Sequence, residues 1–456
     1  MIGINFGSKL RQYAIVITVN FSMLCSGLAL GWSSPILVKL MDPIETVLRE
    51  PASDSEISWI VSASSLTSTL VSVIVPYLLD NLGRKNSVIL ATIPHIIGCL
   101  IILFAQEVWL FILARAIIGV SLGMNFNVSP TYAAEIASKE IRGSLGTILQ
   151  ISTCLGMTIM LAIGPFVPYL ALNLIYMSAI ILTAIPMFFL PDSPYYLYAK
   201  GRTDEALKIL LKLRGSGSLA KEEIAEYEIT KTDTKVDILS LLKDLIFLKT
   251  VLLVIVFGIF TQVSGSNTIA FYLQPILESI KTNISSNIAS AMIGLIMLLG
   301  SIFTAFFTDR FGRKPILIWA FFGMAIGMVG FGACFMISSE TKQMYTFIGF
   351  IPIICLVLNV FCNSAGQGSL FFTVTAEMFE GPSRALGVST AFFTASLFSF
   401  LMAKYLDTVL TLLGPSVTYW GCGGLCVLAG VFVMLFLPET KGKTFAEIQK
   451  ILGRKT

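Results

Sequence analysis

Long uncharged hydrophobic stretches constrain this chain more than any other feature. Stretches such as 58–79 and 168–190 hold roughly 20 residues each, enough for a helix to span a hydrocarbon core of about 30 Å. Charged residues make up only 13% of the 456 residues, against about 25% in soluble domains, so most of the surface must face lipid. The pattern predicts twelve spans, at 13–33, 58–79, 87–106, 109–134, 146–166, 168–190, 248–274, 287–308, 315–337, 345–373, 386–406 and 416–437.

Basic residues fall mostly in alternate loops. With the N-terminus in the cytoplasm, the inner loops receive the basic pairs at 84–85 and 313–314 and the many lysines and arginines of 191–247, and the outer loops receive few. This asymmetry follows the positive-inside rule and predicts that both termini are cytoplasmic. We expect a multi-pass protein of the plasma membrane. Asn283 begins a glycosylation sequon in a predicted outer loop.

Three motifs occur twice in the same order. DNLGRK at 80–85 recurs as DRFGRK at 309–314, a glutamate precedes an arginine by seven residues at 135–142 and again at 377–384, and PDSP at 191–194 corresponds to PETK at 438–441. The repetition predicts an all-α membrane protein of two pseudo-symmetric six-helix bundles. The predicted boundaries are 1–190 and 248–437 for the bundles, 191–247 for the linker and 438–456 for a cytoplasmic tail.

The charged residues of these motifs lie at predicted inner helix ends. Acids and bases there can pair across the two halves and keep the inner side closed, so that breaking the pairs accompanies inward opening. The alternative interpretation is that they only anchor the loops at the phospholipid surface.

These motifs resemble those of the sugar-porter branch of the major facilitator superfamily, most closely insect members related to facilitated trehalose and glucose transporters. The resemblance implies the twelve-helix fold of that superfamily, alternating access, a central polar sugar site and a small intracellular helical domain. The matching pieces are the two Gly-Arg-Lys turns, Arg115 with Gly119, PTYAAEIASKEIRGSLG at 130–146, PDSP at 191–194, QVSGSN at 262–267 and PETKGKTFAEI at 438–448.

The resemblance also implies which charged residues act in gating. This chain has Tyr195 where the family commonly has an arginine, so one inner pair is expected to be missing. The gating candidates are Arg84, Arg115, Glu135, Arg142, Asp192, Asp309, Arg313, Glu377, Arg384 and Glu439.

Neutral amides inside the spans are the best candidates for a sugar site, because they both donate to and accept from hydroxyls. Gln150 lies in the fifth predicted span, and Gln262 and Asn267 lie in the seventh. On a continuous helix the last two would diverge by about 140°, but an interruption at Gly265 would turn both toward one cavity. All three match family sugar-contacting positions. The alternative is interhelical bonding, worth about 0.6 kcal/mol per bond.

Other family pocket positions differ in this chain. Thr261 and Phe372 replace a frequent glutamine and tryptophan, and Met297 stands where asparagine is common. The C-terminal side of the pocket is therefore expected to be poorer in hydrogen-bonding groups, which leaves open a larger, altered or less polar substrate than glucose. Tyr272 is a further candidate, as an outer-gate aromatic.

The spans carry few groups that could couple transport to protons. Proton-driven family members place an aspartate after a Gly-aromatic pair in the first span, where this chain has Ser33. The single histidine, His95, is interpreted as a core residue. Arg115, the one clear intramembrane charge, must face water or carbonyls. It stabilises either the outer part of the cavity or only the helix packing beside Gly119. We expect facilitated diffusion, with proton-coupled symport as the alternative.

The sequence offers no parts for other activities. It has no Walker loop, metal-ligand cluster or nucleophile–base pair, so we predict no enzyme, cofactor or metal. The expected partners are a small neutral sugar and the bilayer, without nucleic acid, and the protein is expected to be monomeric. A non-transporting sugar sensor is the alternative from another class, although the tail after Thr440 is short for one.

Overall fold

Helices account for the regular structure of the described part of the chain. The computed structural model describes residues 6–138, 142–232, 244–279, 284–340, 350–379, 381–443 and 445–453, apart from a few side chains within these ranges. The helices are α1 (Phe6–Met41), α2 (Asp54–Phe104), α3 (Val108–Ile136), α4 (Arg142–Ile163), α5 (Tyr169–Met187), α6 (Pro194–Ala199), α7 (Thr203–Arg214), α8 (Gly217–Thr232), α9 (Leu245–Val263), α10 (Ser266–Phe271), α11 (Leu273–Ser279), α12 (Ser286–Phe311), α13 (Arg313–Glu340), α14 (Ile351–Ala365), α15 (Gln367–Glu377), α16 (Gly381–Leu413), α17 (Pro415–Phe436) and α18 (Phe445–Ile451).

The number of spans agrees with the sequence. Within the described ranges, eleven helical segments are long and apolar enough to cross a membrane. One of them, α2, has 51 residues, more than twice the roughly 20 needed. Gly83, with φ 81° and ψ 173°, divides it into two arms. The predicted twelve spans are therefore confirmed, with two of them joined in α2.

Apolar side chains cover the outside of the bundle and small residues lie inside it. Trp319 is 79% exposed and Ile326 is 67% exposed, as expected for side chains that face lipid. Between α1 and α4, a Cβ built on Gly27 would lie 2.0 Å from the Thr153 carbonyl oxygen. Such backbone contact requires glycine, because lipid-embedded helices gain from close packing rather than from hydrophobic exclusion.

The seventh and tenth spans are broken. Helix α9 ends at Val263, and Gly265 follows in the left-handed region at φ 77°. The interruption expected at Gly265 is therefore present. Helix α14 ends at Ala365, and Gly366 with φ −119° and ψ −96° separates it from α15. The breaks free main-chain groups in the middle of the bundle, which is tolerated where they line a cavity.

The N-terminal half (α1–α5) and the C-terminal half (α9–α17) meet along two seams. In the α2–α16 seam, the Lys404 ammonium donates to the Ser58 hydroxyl at 2.8 Å. In the α4–α12 seam, the Thr158 hydroxyl donates to the Gly294 carbonyl at 2.6 Å. Below, "inner" means the end of the molecule that carries the Gly-Arg-Lys turns.

The linker helices α6, α7 and α8 pack against the inner end of the N-terminal half. The Gln12 amide donates to the Leu213 carbonyl at 2.7 Å, and the Arg214 guanidinium donates to the Ile136 carbonyl at 2.9 Å. Helical structure between the bundles was expected from the family resemblance. Of the predicted 191–247 segment, the structure leaves 233–243 undescribed.

Candidate functional site

A cavity of about 160 Å³ lies between the two halves. The described side chains that line it are uncharged, so the cavity suits a neutral solute. Its polar lining residues are Ser65, Ser68, Gln150, Thr153, Thr261, Gln262, Asn267, Asn363, Ser364, Gln367, Ser396 and Ser399. Its apolar lining residues are Leu30, Leu122, Phe126, Met157, Phe271, Met297, Gly368, Phe371, Phe372, Phe392 and Ala395.

The two breaks bring four amides together on the C-terminal side of the cavity. The Gln367 amide nitrogen donates to Asn363 Oδ1 at 2.7 Å, and Asn363 Nδ2 donates to Asn267 Oδ1 at 3.4 Å. Asn267 Nδ2 donates to Gln262 Oε1 at 3.2 Å, and Gln262 Nε2 contacts the Thr261 hydroxyl oxygen at 3.5 Å. We call these four residues and Thr261 the amide relay. The relay holds hydrogen-bonding groups at the cavity wall in fixed directions.

The N-terminal half contributes one amide and several hydroxyls. Gln150 reaches the C-terminal half at Gly368 of α15. A Cβ built on Gly368 would lie 3.2 Å from Gln150 Nε2. The same nitrogen lies 3.3 Å from Cys154 Sγ on its own helix. Ser65 of α2 faces Ser399 of α16 with 3.4 Å between hydroxyl oxygens. Both halves therefore supply polar groups, as a site between two moving bodies requires.

Three phenylalanines form an aromatic wall that joins the halves. Phe126 of α3 stacks on Phe372 of α15, with ring centroids 5.8 Å apart and 14° between planes. It also stacks on Phe392 of α16 at 5.4 Å and 23°. All three line the cavity. A solute in the cavity thus meets hydrogen-bonding amides and an apolar aromatic surface.

Five of the six sequence-predicted pocket residues line this cavity. They are Gln150, Thr261, Gln262, Asn267 and Phe372. Tyr272 does not line it in this structure, since its hydroxyl donates to the Ala403 carbonyl at 3.0 Å, and its role as an outer-gate aromatic stays a prediction. The neighbouring Phe271 lines the cavity instead. Because Gly265 breaks the helix, facing directions beyond it do not follow from continuous helical spacing.

Asn363 and Gln367 line the cavity but were not predicted from the sequence. They follow Asn359 at intervals of four residues, so two amides share one face of the tenth span before the break and the third comes directly after it. Unpartnered amides are costly in a span, and this periodicity was the available signal. Asn359 itself donates to the Met324 carbonyl at 3.3 Å and does not line the cavity.

Within the described part of the chain, charged inner residues form an ion pair inside each half. Arg84 donates to the Glu135 carboxylate from Nε at 3.0 Å and from Nη2 at 2.8 Å. In the other half, Arg313 Nη2 donates to Glu377 Oε1 at 3.2 Å. The two pairs form because each arginine begins the helix that follows its turn and reaches the neighbouring helix of its own bundle; pairing across the halves stays a prediction.

Other gating candidates have different surroundings. Glu439 accepts hydrogen bonds from the backbone N–H groups of Arg313 and Lys314, both at 3.0 Å, and so caps the start of α13. Asp192 lies at the inner end, near Arg202. The side chains of Arg142, Asp309 and Arg384 are among those left undescribed, and Asn283 lies outside the described residues.

Arg115 is buried inside the N-terminal half and does not line the cavity. It donates to the Ala29 carbonyl at 2.8 Å, the Ile60 carbonyl at 3.3 Å and the Ser64 hydroxyl at 3.0 Å. Its guanidinium also lies 5.5 Å from the Trp32 ring centroid. Carbonyls therefore stabilise the charge, as expected. The contacts tie α1, α2 and α3 together, which favours the packing interpretation.

A comparison with known protein families decides the identity of this fold. The model described as "Sugar (and other) transporter" matches residues 8–452.

The chain belongs to this transporter family.

Individual relatives agree with the assignment. The facilitated trehalose transporter Tret1 of Aedes aegypti is 26% identical over 97% of this chain, which spans only 55% of that relative's length. Facilitated glucose transporter member 8 of solute carrier family 2, from Mus musculus, is 28% identical over 92% of this chain and 90% of its own length. The family predicted from the motifs is confirmed.

Solved structures confirm the fold of this family member. The proton:xylose symporter XylE of E. coli superposes with a TM-score of 0.79, covering 97% of this chain and 100% of the symporter chain at 21% identity. At this identity the match concerns architecture alone. The predicted major facilitator fold is thus confirmed.

Tyr195, which stands where the family commonly has an arginine, contacts Arg84. The Arg84 guanidinium lies 5.9 Å from the Tyr195 ring centroid and 5.7 Å from that of Tyr196. Burial, and then the nearby Glu135 carboxylate, raise the pKa of the Tyr195 hydroxyl, so the ring stays neutral. The neutral rings therefore add cation–π contacts to the Arg84–Glu135 pair.

Proposed function

We propose that this transporter carries a small neutral sugar by facilitated diffusion, through alternating access of its two halves around the cavity. The amide relay supports this proposal most directly. Neutral amides offer donors and acceptors to hydroxyls without the desolvation cost of a buried charge. The aromatic wall adds an apolar surface for the C–H face of a sugar ring. The relatives named above for trehalose and glucose transport point to the same solute class.

We further propose uniport rather than proton coupling. The Arg115 guanidinium has carbonyl and hydroxyl partners and forms no ion pair among the described residues. Ser33, at the position where proton-driven family members carry an aspartate, is fully buried. Among the residues that the structure describes, the side chains lining the cavity include no acid that could take up a proton during the cycle. Proton-coupled symport is the alternative, and a gradient experiment separates the two.

The predicted setting follows from the charge pattern. We propose a monomer in the plasma membrane with both termini in the cytoplasm, where the basic inner loops meet the anionic leaflet. Surface labelling of single cysteines placed in the 233–243 segment, in intact and permeabilised cells, checks the orientation. Labelling in intact cells would contradict it.

Counterflow in proteoliposomes tests the transport proposal. Proteoliposomes that contain the purified protein are preloaded in turn with D-glucose, D-fructose, trehalose or a polyol. They should exchange at least one of these solutes for its labelled counterpart outside. Under an inward proton gradient, uptake should stop at equilibrium. Accumulation above equilibrium would establish symport, and exchange of no solute in the panel would favour the sensor alternative.

The role of the relay in transport is tested by Gln262→Ala. Removing this amide should lower counterflow about tenfold, because one hydrogen bond to the sugar and two within the relay are lost. The thermal unfolding midpoint should change little. Gln274 provides a matched control, since it is a buried glutamine of the same broken span that does not line the cavity. Equal counterflow by Gln262→Ala and Gln274→Ala would remove Gln262 from the site.

A further inference from the structure

The amide relay has a direction, and Gln367 stands at one end of it. The Gln367 amide nitrogen lies 2.9 Å from the Thr261 carbonyl oxygen. A carbonyl only accepts hydrogen bonds, so this contact fixes which end of the Gln367 side chain is the nitrogen. The same nitrogen donates to Asn363 Oδ1 at 2.7 Å. From there every bond in the relay runs the same way, toward Thr261.

This direction leaves the relay with one open acceptor. The side-chain oxygens of Asn363, Asn267 and Gln262 each accept from the preceding amide. Gln367 Oε1 accepts no hydrogen bond from any residue that the structure describes. The Gln367 side chain is only 1% exposed and lines the cavity. A buried amide oxygen without a partner costs about 1–3 kcal/mol, so a group that donates to it is strongly favoured.

Position in the broken helices explains why Gln367 is held so firmly. It begins α15 directly after the Gly366 break and donates to Thr261 and Ser264 in the last turn of α9, beside the Gly265 break. Its nitrogen thus ties the two broken spans together. Its two amide hydrogens are shared among the Thr261 carbonyl, the Ser264 hydroxyl and Asn363 Oδ1, which leaves the oxygen as the group that can act on a solute.

We propose that Gln367 Oε1 is the acceptor for one hydroxyl of the transported solute and is a specificity-determining group of the site. This inference rests on the proposed sugar transport. The solute must donate a hydrogen bond at this point, so polyhydroxylated solutes are selected over analogues with an ether, a halogen or hydrogen there. A donor at Gln367 also polarises the relay behind it, which strengthens the next bonds in the chain.

Deoxy and deoxyfluoro sugars separate a donating hydroxyl from an accepting one. Fluorine accepts a hydrogen bond weakly and never donates one. At the position that meets Gln367, the deoxy and the deoxyfluoro analogue should therefore lose affinity equally, about tenfold. The probes are D-glucose and its monodeoxy and monodeoxyfluoro analogues, used as competitors in counterflow. If wild type carries only the disaccharide, the same analogues of trehalose are used.

Two variants of Gln367 have opposite expectations. Gln367→Met removes the acceptor. The loss of affinity for the deoxy and deoxyfluoro analogues at the sugar position that meets Gln367 should therefore shrink to less than about twofold, which is within the error of a double-mutant cycle. Gln367→Glu keeps an acceptor oxygen in the same place; its buried carboxyl, surrounded by acceptor oxygens, stays protonated and donates to the Thr261 carbonyl as the amide did, so the penalty should be retained. Gln274→Met is the matched control, and it should keep the wild-type discrimination pattern. Size-exclusion profiles and unfolding midpoints check that each variant is folded.

The outcomes distinguish this inference from the proposed function. Loss of discrimination in Gln367→Met, with retention in Gln367→Glu, supports the acceptor role. If Gln367→Met shows wild-type counterflow and the wild-type pattern of discrimination among analogues, the acceptor role is overturned. Loss of discrimination in Gln367→Glu also overturns it, and this second test can be read even if the methionine variant fails to fold. Absence of counterflow by wild type for every sugar in the panel sinks the proposed function, and this inference with it.

Discussion

The two inner ion pairs occupy corresponding places in the duplicated halves but are held very differently. Arg84 binds Glu135 through two nitrogens, and the other Glu135 oxygen accepts from the Ser193 hydroxyl. Exposure of the two charged side chains is only 8% and 16%. Arg313 reaches Glu377 through one nitrogen at 3.2 Å, and the Glu377 side chain is 30% exposed. The same motif therefore gives a tight pair in one half and a looser pair in the other.

The interior of the N-terminal half is also more tightly connected than that of the C-terminal half. In the N-terminal half, Arg115 links three neighbouring helices through carbonyl and hydroxyl contacts. The C-terminal half has the breaks at Gly265 and Gly366 and the amide relay between them. We expect the two related halves to have different tasks. We expect the N-terminal half, with α6–α8 packed on it, to move as a rigid body, and local rearrangement to occur at the breaks of the other half.

The largest expected effect comes from the tight pair. Glu135→Gln leaves Arg84 buried without its carboxylate, which should cost about 3 kcal/mol of folding stability. Glu377→Gln disturbs a more exposed pair and should cost about 1 kcal/mol or less. Thermal unfolding in detergent, compared between the two variants and wild type, measures the difference. Equal shifts of the midpoint would show that the two halves are held alike.

A smaller effect is expected at the break in the seventh span. Gly265→Ala forces a side chain into the left-handed region, at about 1–2 kcal/mol, and places a Cβ 3.0 Å from Cys422 Sγ. Counterflow should fall about tenfold, because Gln262 and Asn267 lose their common direction. The control is Gly424→Ala in the middle of α17, where a Cβ has open space. Wild-type counterflow by the Gly265 variant would mean that the break does not position the relay.

The smallest effect concerns the aromatic support of the tight pair. Tyr195→Leu removes a cation–π contact to Arg84 and should lower stability by about 0.5–1 kcal/mol. Tyr77→Leu is the control, since Tyr77 is 70% exposed and its loss removes little packing. Unfolding midpoints compare the two variants. If they were indistinguishable, Tyr195 would not support the Arg84–Glu135 pair.

Local patterns in the sequence predicted much of this arrangement. Uninterrupted apolar stretches gave the twelve spans, because lipid contact imposes a length and a polarity on each helix independently of its neighbours. The repeated turns predicted two related bundles. Gly265 between two amides predicted the interruption, since glycine tolerates the positive φ that a break requires. An unsolvated charge is costly in a membrane span, and this cost predicted that Arg115 would face water or carbonyl groups.

Partners distant in sequence were beyond such reasoning. Arg84 and Glu135 are 51 residues apart, and their pairing within one half depends on how α2 and α3 pack. Tyr272 lies beyond the break, so its direction followed from tertiary contacts and not from helical spacing. Gln367 Oε1 is left without a donor because the amide nitrogen of this side chain donates to the carbonyl oxygen of Thr261, 106 residues away. The sequence by itself determined which helices form and the break at Gly265, because lipid and backbone geometry act on each segment alone. The tertiary structure decided which charges pair and which amide oxygen is left without a donor, because a hydrogen bond depends on where both of its ends are held.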